Sequence, residues 1–190
     1  MDAILDAAAA LIRESGVGGL TVHGTAERAG TSIGSMYHFF PDLDAVVAGL
    51  AERQVRTFEP VLAALGSRSK AEWSRMSAAE AVDALVTPIL EHLQANPHVL
   101  HLAVAPEAGS RFRERVQEMK DAGLKIVEDI LAARRPAVSA GSRRVRAAVI
   151  VGAVEGVALL LLRVNVDGAR AASELRRAVT AYLEAVERSR

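Results

Sequence analysis

The stretch Ala26-Glu27-Arg28-Ala29-Gly30-Thr31-Ser32-Ile33-Gly34-Ser35-Met36-Tyr37-His38-Phe39-Phe40-Pro41 sets the architecture around it. Gly30 stops one helical run, Ser32 is placed to cap the next, and Pro41 ends that one. Upstream, Thr21 is placed to cap a helix from about Val22 to Ala29. Before it, Ser15-Gly16-Val17-Gly18-Gly19 closes a first helix whose apolar residues Ile4, Leu5, Ala8, Leu11 and Ile12 recur at three- and four-residue steps. Downstream, Asp42 caps a longer helix to about Phe58. Two short helices joined by a glycine turn form a helix-turn-helix: the first braces across a duplex backbone and the second offers its N-terminal half to the major groove. In that second helix Ser35 and His38 are groove-facing polar groups, and Ser32 and Tyr37 can reach phosphate oxygens. Met36, Phe39 and Phe40 turn back to a small core.

The rest of the chain has helical period throughout, and the fold class is all-α. A polar stretch, Gly66 to Ser77, reads as a loop or irregular helix carrying Trp73. Helices are expected over about Ala78–Ala95, Val99–Val104, Ser110–Ala133, Arg143–Val164 and Ala169–Glu187. Their breaks fall at Asn96-Pro97, Pro106, Arg135-Pro136, Ser139–Ser142 and Asn165-Val166-Asp167-Gly168. The longest apolar run, Ala147 to Leu162, is 16 residues with Glu155 inside it, short of the roughly 20 a membrane span needs. A buried helix is expected there, with no membrane partner. Met1 to Ile12 lacks a basic n-region, so no export leader is expected.

Composition narrows the function. At 190 residues, 51% hydrophobic and 24% charged, the chain can bury a sizeable core, or build a small domain and a larger one. The absence of cysteine excludes a disulfide scaffold, a thiol nucleophile and a thiolate metal site. Net charge is zero, so any nucleic-acid contact must be a local site. No nucleophile elbow, phosphate loop, zinc-protease or dinucleotide fingerprint is present, and no enzyme is expected. His92, His98 and His101 lack a further ligand at fixed spacing, so neither a metal nor a cofactor is expected.

Ile4-Leu5-Asp6-Ala7-Ala8, Thr21-Val22 and the stretch from Ala26 to Pro41 resemble the DNA-binding domain of the TetR family of bacterial repressors. The likeness is dense over Ile4 to Val47, and beyond it the helix layout is similar. The resemblance implies a helix-turn-helix DNA-binding domain over residues 1–58, with its fourth helix as connector. An effector-binding and dimerisation domain would occupy 59–190. The implied function is a cytoplasmic, ligand-responsive repressor that binds a near-palindromic operator as a homodimer and is released by a small, mostly apolar molecule. Thr21, Thr31, Ser32, Ser35, Tyr37 and His38 fall where the family touches phosphates and bases.

In this layout a pocket would be lined from Phe58, Trp73, Ile89, Leu93, His98, His101, Met119, Leu124, Glu155 and Leu159. Glu155, mid-helix in apolar surroundings, must pair with a cation, face a subunit boundary or meet a ligand. Gly152 and Gly156, four apart, allow a close backbone approach. Leu175, Val179, Tyr182, Leu183 and Val186 form a packing stripe, so the last two helices are expected to build the dimer interface. The alternative is that both stripes complete the protomer's own core.

The sequence departs from the family pattern at Leu43, where a lysine is usual, and at His23-Gly24-Thr25. The three residues before Ile4 include no basic one. Residues 1–57 carry four cations (Arg13, Arg28, Arg53, Arg56) and seven anions (Asp2, Asp6, Glu14, Glu27, Asp42, Asp44, Glu52), a net of −3. Weak operator binding with a shallow salt dependence is expected. The runner-up function is a helical small-molecule-binding or interaction dimer with weak or lost DNA binding.

Overall fold

The computed structural model describes residues 1–104, 109–160 and 167–188, and those residues form helices and turns without strands. The helices are α1 (Asp2–Ser15), α2 (Val22–Arg28), α3 (Ile33–Phe39), α4 (Leu43–Gly66), α5 (Lys70–Arg75), α6 (Ala78–Ala95), α7 (His98–Val104), α8 (Gly109–Arg134), α9 (Ala140–Leu160) and α10 (Gly168–Arg188). The expected break at Pro106 and the linker residues Asn165-Val166 lie outside the described residues.

The chain divides into two compact units: Met1–Phe58 with Ala95–Glu118, and Glu59–Gln94 with Met119–Arg190. The break after Phe58 falls at the end of the segment expected to bind DNA. Residues 95–118, expected with the C-terminal part, instead pack with the N-terminal unit, because Leu102 and Phe112 complete its core.

In the N-terminal unit α1 buries Ile4, Leu5, Ala8 and Ile12 against Leu20, Ala26, Met36, Phe40, Val46, Val47 and Leu50. Gly16, at φ 70, closes α1. Gly30, at φ 63, closes α2: the Thr31 N–H donates to the Ala26 carbonyl at 3.0 Å and the Gly30 N–H to the Glu27 carbonyl at 3.1 Å. This double closure suits a residue without Cβ and fixes the turn into α3.

The second unit's core gathers Leu65, Trp73, Val82, Leu85, Val86 and Leu90 with Val127, Ile130 and Leu131 of α8. Ala147, Ile150 and Val154 of α9 join it, as do Leu175, Val179, Leu183 and Val186 of α10.

Two expected helix bounds are corrected and one open reading is resolved. Helix α4 does not stop near Phe58 but runs through Pro60 to Gly66. A proline removes one ladder bond, and burial of Leu65 with packing of Val61 holds the helix beyond it. The polar stretch after Gly66 contains α5, started by a capping box at Ser69 and Glu72 and anchored by buried Trp73. Helix α9 begins at Ala140 rather than Arg143, because the Ser139 hydroxyl accepts the Ser142 N–H at 3.2 Å and caps it.

Candidate nucleic-acid interface

Helices α2 and α3 each start on a hydroxyl cap. Thr21 Oγ1 accepts the Gly24 N–H and Ser32 Oγ accepts the Ser35 N–H, both at 3.0 Å. Ser32 Oγ also donates to Ser35 Oγ at 3.0 Å. Buried Thr25 donates its hydroxyl to the Thr21 carbonyl at 2.7 Å, satisfying the only polar group α2 turns inward. Met36 and Phe40, four apart, fix α3 to the core, at 1% and 7% exposure.

With those two residues holding the inner face, Ser32, Ser35, Tyr37 and His38 are all exposed and Thr31 is partly so. Tyr37 presents half its surface to solvent. One expectation is corrected: Phe39 is 49% exposed and does not join the core. Phe40 takes the inward position, and Phe39 lies edge-on to His38, with ring centroids 5.2 Å apart.

The electrostatics of this unit restrict how it can hold a polyanion. Arg28 makes a two-pronged contact with Glu14, at 2.6 and 2.7 Å. The Arg28 guanidinium holds the Glu14 carboxyl below the ordinary carboxylate range, and Glu14 raises Arg28 in return. Arg53 reaches Asp6 at 2.7 Å. Two of the four cations in residues 1–57 are thus committed to carboxylates.

The residues proposed to line a pocket are divided between the units. Phe58, His98 and His101 belong to the N-terminal one; Trp73, Ile89, Leu93, Met119, Leu124, Glu155 and Leu159 belong to the second. Trp73 is 3% exposed within the core, with Arg68 5.3 Å over its ring. Ile89 and Leu124 pack against that core, while Leu93, Met119 and Leu159 are half-buried. Glu155 pairs with Lys120 at 3.3 Å, which meets the need of a charge in that apolar helix. His98 is buried, and burial pushes His92 down, favouring its neutral form. A shallow depression of about 250 Å³ between α8 and α9 is lined by Asp121, Leu124, Lys125, Glu128 and Arg144. Of the predicted lining residues it includes only Leu124. Among the described residues no three His, Asp or Glu side chains group as metal ligands.

The stripe assigned to the dimer interface is packed within the protomer. Leu175, Val179, Leu183 and Val186 are 3–6% exposed and belong to the protomer's own core, with Tyr182 packed beside them. What α9 leaves uncovered is a different face. Val145, Val149, Gly152, Gly156 and Leu160 recur at steps of four, three, four and four, and the two valines and the leucine are 49–66% exposed. The opposite face, Ala147, Ile150, Val154 and Ala158, is buried. Sequence periodicity could not rank the two, because α9 is apolar nearly all round.

Known proteins share this arrangement. The family model described as bacterial regulatory proteins, tetR family, matches residues 4–50. The model for the tetracyclin repressor-like C-terminal domain matches residues 77–183. The chain is 30% identical over 133 residues to the HTH-type transcriptional repressor KstR2 of Rhodococcus jostii (strain RHA1), and that match spans 64% of each chain. A TetR-like transcriptional regulator from Rhodococcus sp. RHA1 superposes with a TM-score of 0.73 at 19% identity, covering 97% of this chain and 94% of that one. The regulator FadR from Bacillus subtilis, solved in complex with stearoyl-CoA, superposes with a TM-score of 0.66 at 17% identity, over 95% and 97% of the two chains. These structural likenesses establish a shared fold. The chain is a helix-turn-helix protein, and it belongs to the TetR family of bacterial regulatory proteins.

Proposed function

We propose that the protein is a ligand-responsive transcriptional repressor, acting in the cytoplasm, that binds a near-palindromic operator as a homodimer. The observation that carries this reading is α3, a capped helix anchored by Met36 and Phe40 whose outer face is exposed from end to end. Tyr37 serves as a phosphate anchor, with Thr21, Thr31 and Ser32 near the backbone. Ser35 and His38 meet base edges. Residues 1–58 supply the DNA-binding function and 59–190 the effector and dimer functions.

The uncovered face of α9 supports the homodimer: a second copy of the same stripe, with Gly152 and Gly156 admitting a close approach, would cover three exposed aliphatic side chains. The stearoyl-CoA complex of a protein with this fold supports a mostly apolar effector. Such an effector would release the operator by binding one state of the dimer more tightly than the other, with α4, shared between the two units, carrying the change. The net charge of −3 over residues 1–57 favours the second reading, a small-molecule-binding or interaction dimer with weak DNA affinity.

One experiment separates them. Duplexes are selected from a randomised pool by the full chain at low salt, and binding is measured by mobility shift alongside light scattering. A repressor enriches near-palindromic sites as a dimer, and Tyr37→Phe lowers affinity by a similar factor for every duplex. A monomer at micromolar concentration, or no enriched sequence, overturns the reading.

A further inference from the structure

We infer that Ile33 is a specificity-determining residue and that each operator half-site is read through a thymine 5-methyl group rather than through paired hydrogen bonds. The inference rests on the DNA-binding reading above.

Two-pronged base recognition needs a guanidinium for guanine or a side-chain amide for adenine. Between Thr31 and Pro41 there is no Arg, Lys, Asn, Gln, Asp or Glu. Arg28, the cation of α2, is held on both prongs by Glu14. The hydroxyls of Ser32 and Ser35 donate and accept alike, so they suit either strand of any base pair and discriminate weakly. His38, in the last turn of α3 and edge-on to Phe39, can offer one ring nitrogen to a base edge, a single bond and not a two-pronged one. Paired hydrogen bonding is therefore absent from α3, and apolar contact to the thymine methyl is the remaining direct code.

Ile33 is placed for that contact. It is the first residue of α3, in the half that enters a groove, and it is 42% exposed although Met36 and Phe40 of the same segment are buried. Its neighbour Gly34 is not demanded by packing: a Cβ there would meet only Ser32 Oγ, at 3.8 Å. A bare position beside Ile33 lets the helix backbone sit close to the bases, so that a short aliphatic side chain reaches a methyl. Phe39, the other exposed apolar side chain, is in the last turn and engaged with His38.

The test uses the full-length protein and the duplexes enriched from the randomised pool. Each thymine is replaced singly by deoxyuridine, which keeps every hydrogen-bonding group and removes only the methyl. Affinity should fall about three- to five-fold at one position per half-site, the worth of one methyl taken out of water. Ile33→Ala, at an exposed site that accepts alanine, should keep the helical circular dichroism and abolish the deoxyuridine effect at that position. Half-sites without thymine, no sensitive position, or sensitivity that survives Ile33→Ala would each overturn the inference while leaving DNA binding intact. A pool that yields no enriched sequence overturns the DNA-binding reading itself, and the inference with it.

Discussion

Gly49 lies inside a helix with ordinary backbone angles, yet a Cβ on it would stand 2.8 Å from the Phe40 ring and 3.4 Å from Leu5. Phe40 is held against α4 because this position is bare, and Phe40 in turn fixes the end of α3. Gly49→Ala should therefore cost about 1–3 kcal/mol through overpacking, read as a lower denaturant midpoint, despite alanine's better helix propensity. At this scale the sequence was legible where the cause is local. The caps at Thr21 and Ser32 and the stops at Gly16 and Gly30 follow from side-chain chemistry within four residues, and all stand as expected. It was illegible where the outcome depends on distant packing. Phe39 and Phe40 are adjacent and alike; Phe40 lies four residues from buried Met36 on the inner face, and the bare site at Gly49, distant in sequence, makes room for its ring. The same holds for Leu175, Val179, Leu183 and Val186, whose spacing suits an interface and a core equally.

Helix α5 shows how a short element survives on its ends. The Ser69 hydroxyl bonds to the Glu72 carboxylate, and with the Ser69 N–H it holds that carboxyl below its ordinary range. Glu80 is lowered in the same way at the start of α6, by the Ser77 N–H and hydroxyl. A carboxyl lowered in the folded state adds stability that is present above its unfolded value and is lost as pH falls through the folded one. Both helix starts should weaken on acidification below the ordinary carboxylate range, and Ser69→Ala should flatten that dependence in a pH series of denaturation curves. The serine substitution itself should cost about 1 kcal/mol at neutral pH, the usual worth of a helix cap. At its other end α5 is held by Arg134, which is 7% exposed and donates to the carbonyls of Trp73 at 2.8 Å and Met76 at 2.6 Å while pairing with Glu187. Arg134→Met leaves a part-buried carboxylate and two carbonyls without that donor. A loss of about 3 kcal/mol is expected, with faster hydrogen exchange in α5 as the specific sign. The sequence left Gly66 to Ser77 between a loop and an irregular helix, because only the Ser69–Glu72 box is local and the hold on the other end comes from Arg134 of α8.

Taken whole, the chain is electrically neutral, but the segment proposed to face DNA is not. Four cations against seven anions, with Arg28 and Arg53 already paired to carboxylates, leave few groups to displace counterions from a duplex. The slope of log affinity against log salt should be shallow, about that of three phosphates or fewer, in a mobility-shift series; a slope for about six or more would contradict this accounting. No helix among the described residues is long and apolar enough to cross a membrane. Helix α9 buries one apolar face and leaves Val145, Val149 and Leu160 exposed on another. Pro60, finally, stands two residues past Phe58, where one compact unit gives way to the other along α4. The amide it lacks is the one that would have secured the Arg56 carbonyl. Deforming the rod at that rung breaks one bond fewer than at a turn with a complete ladder.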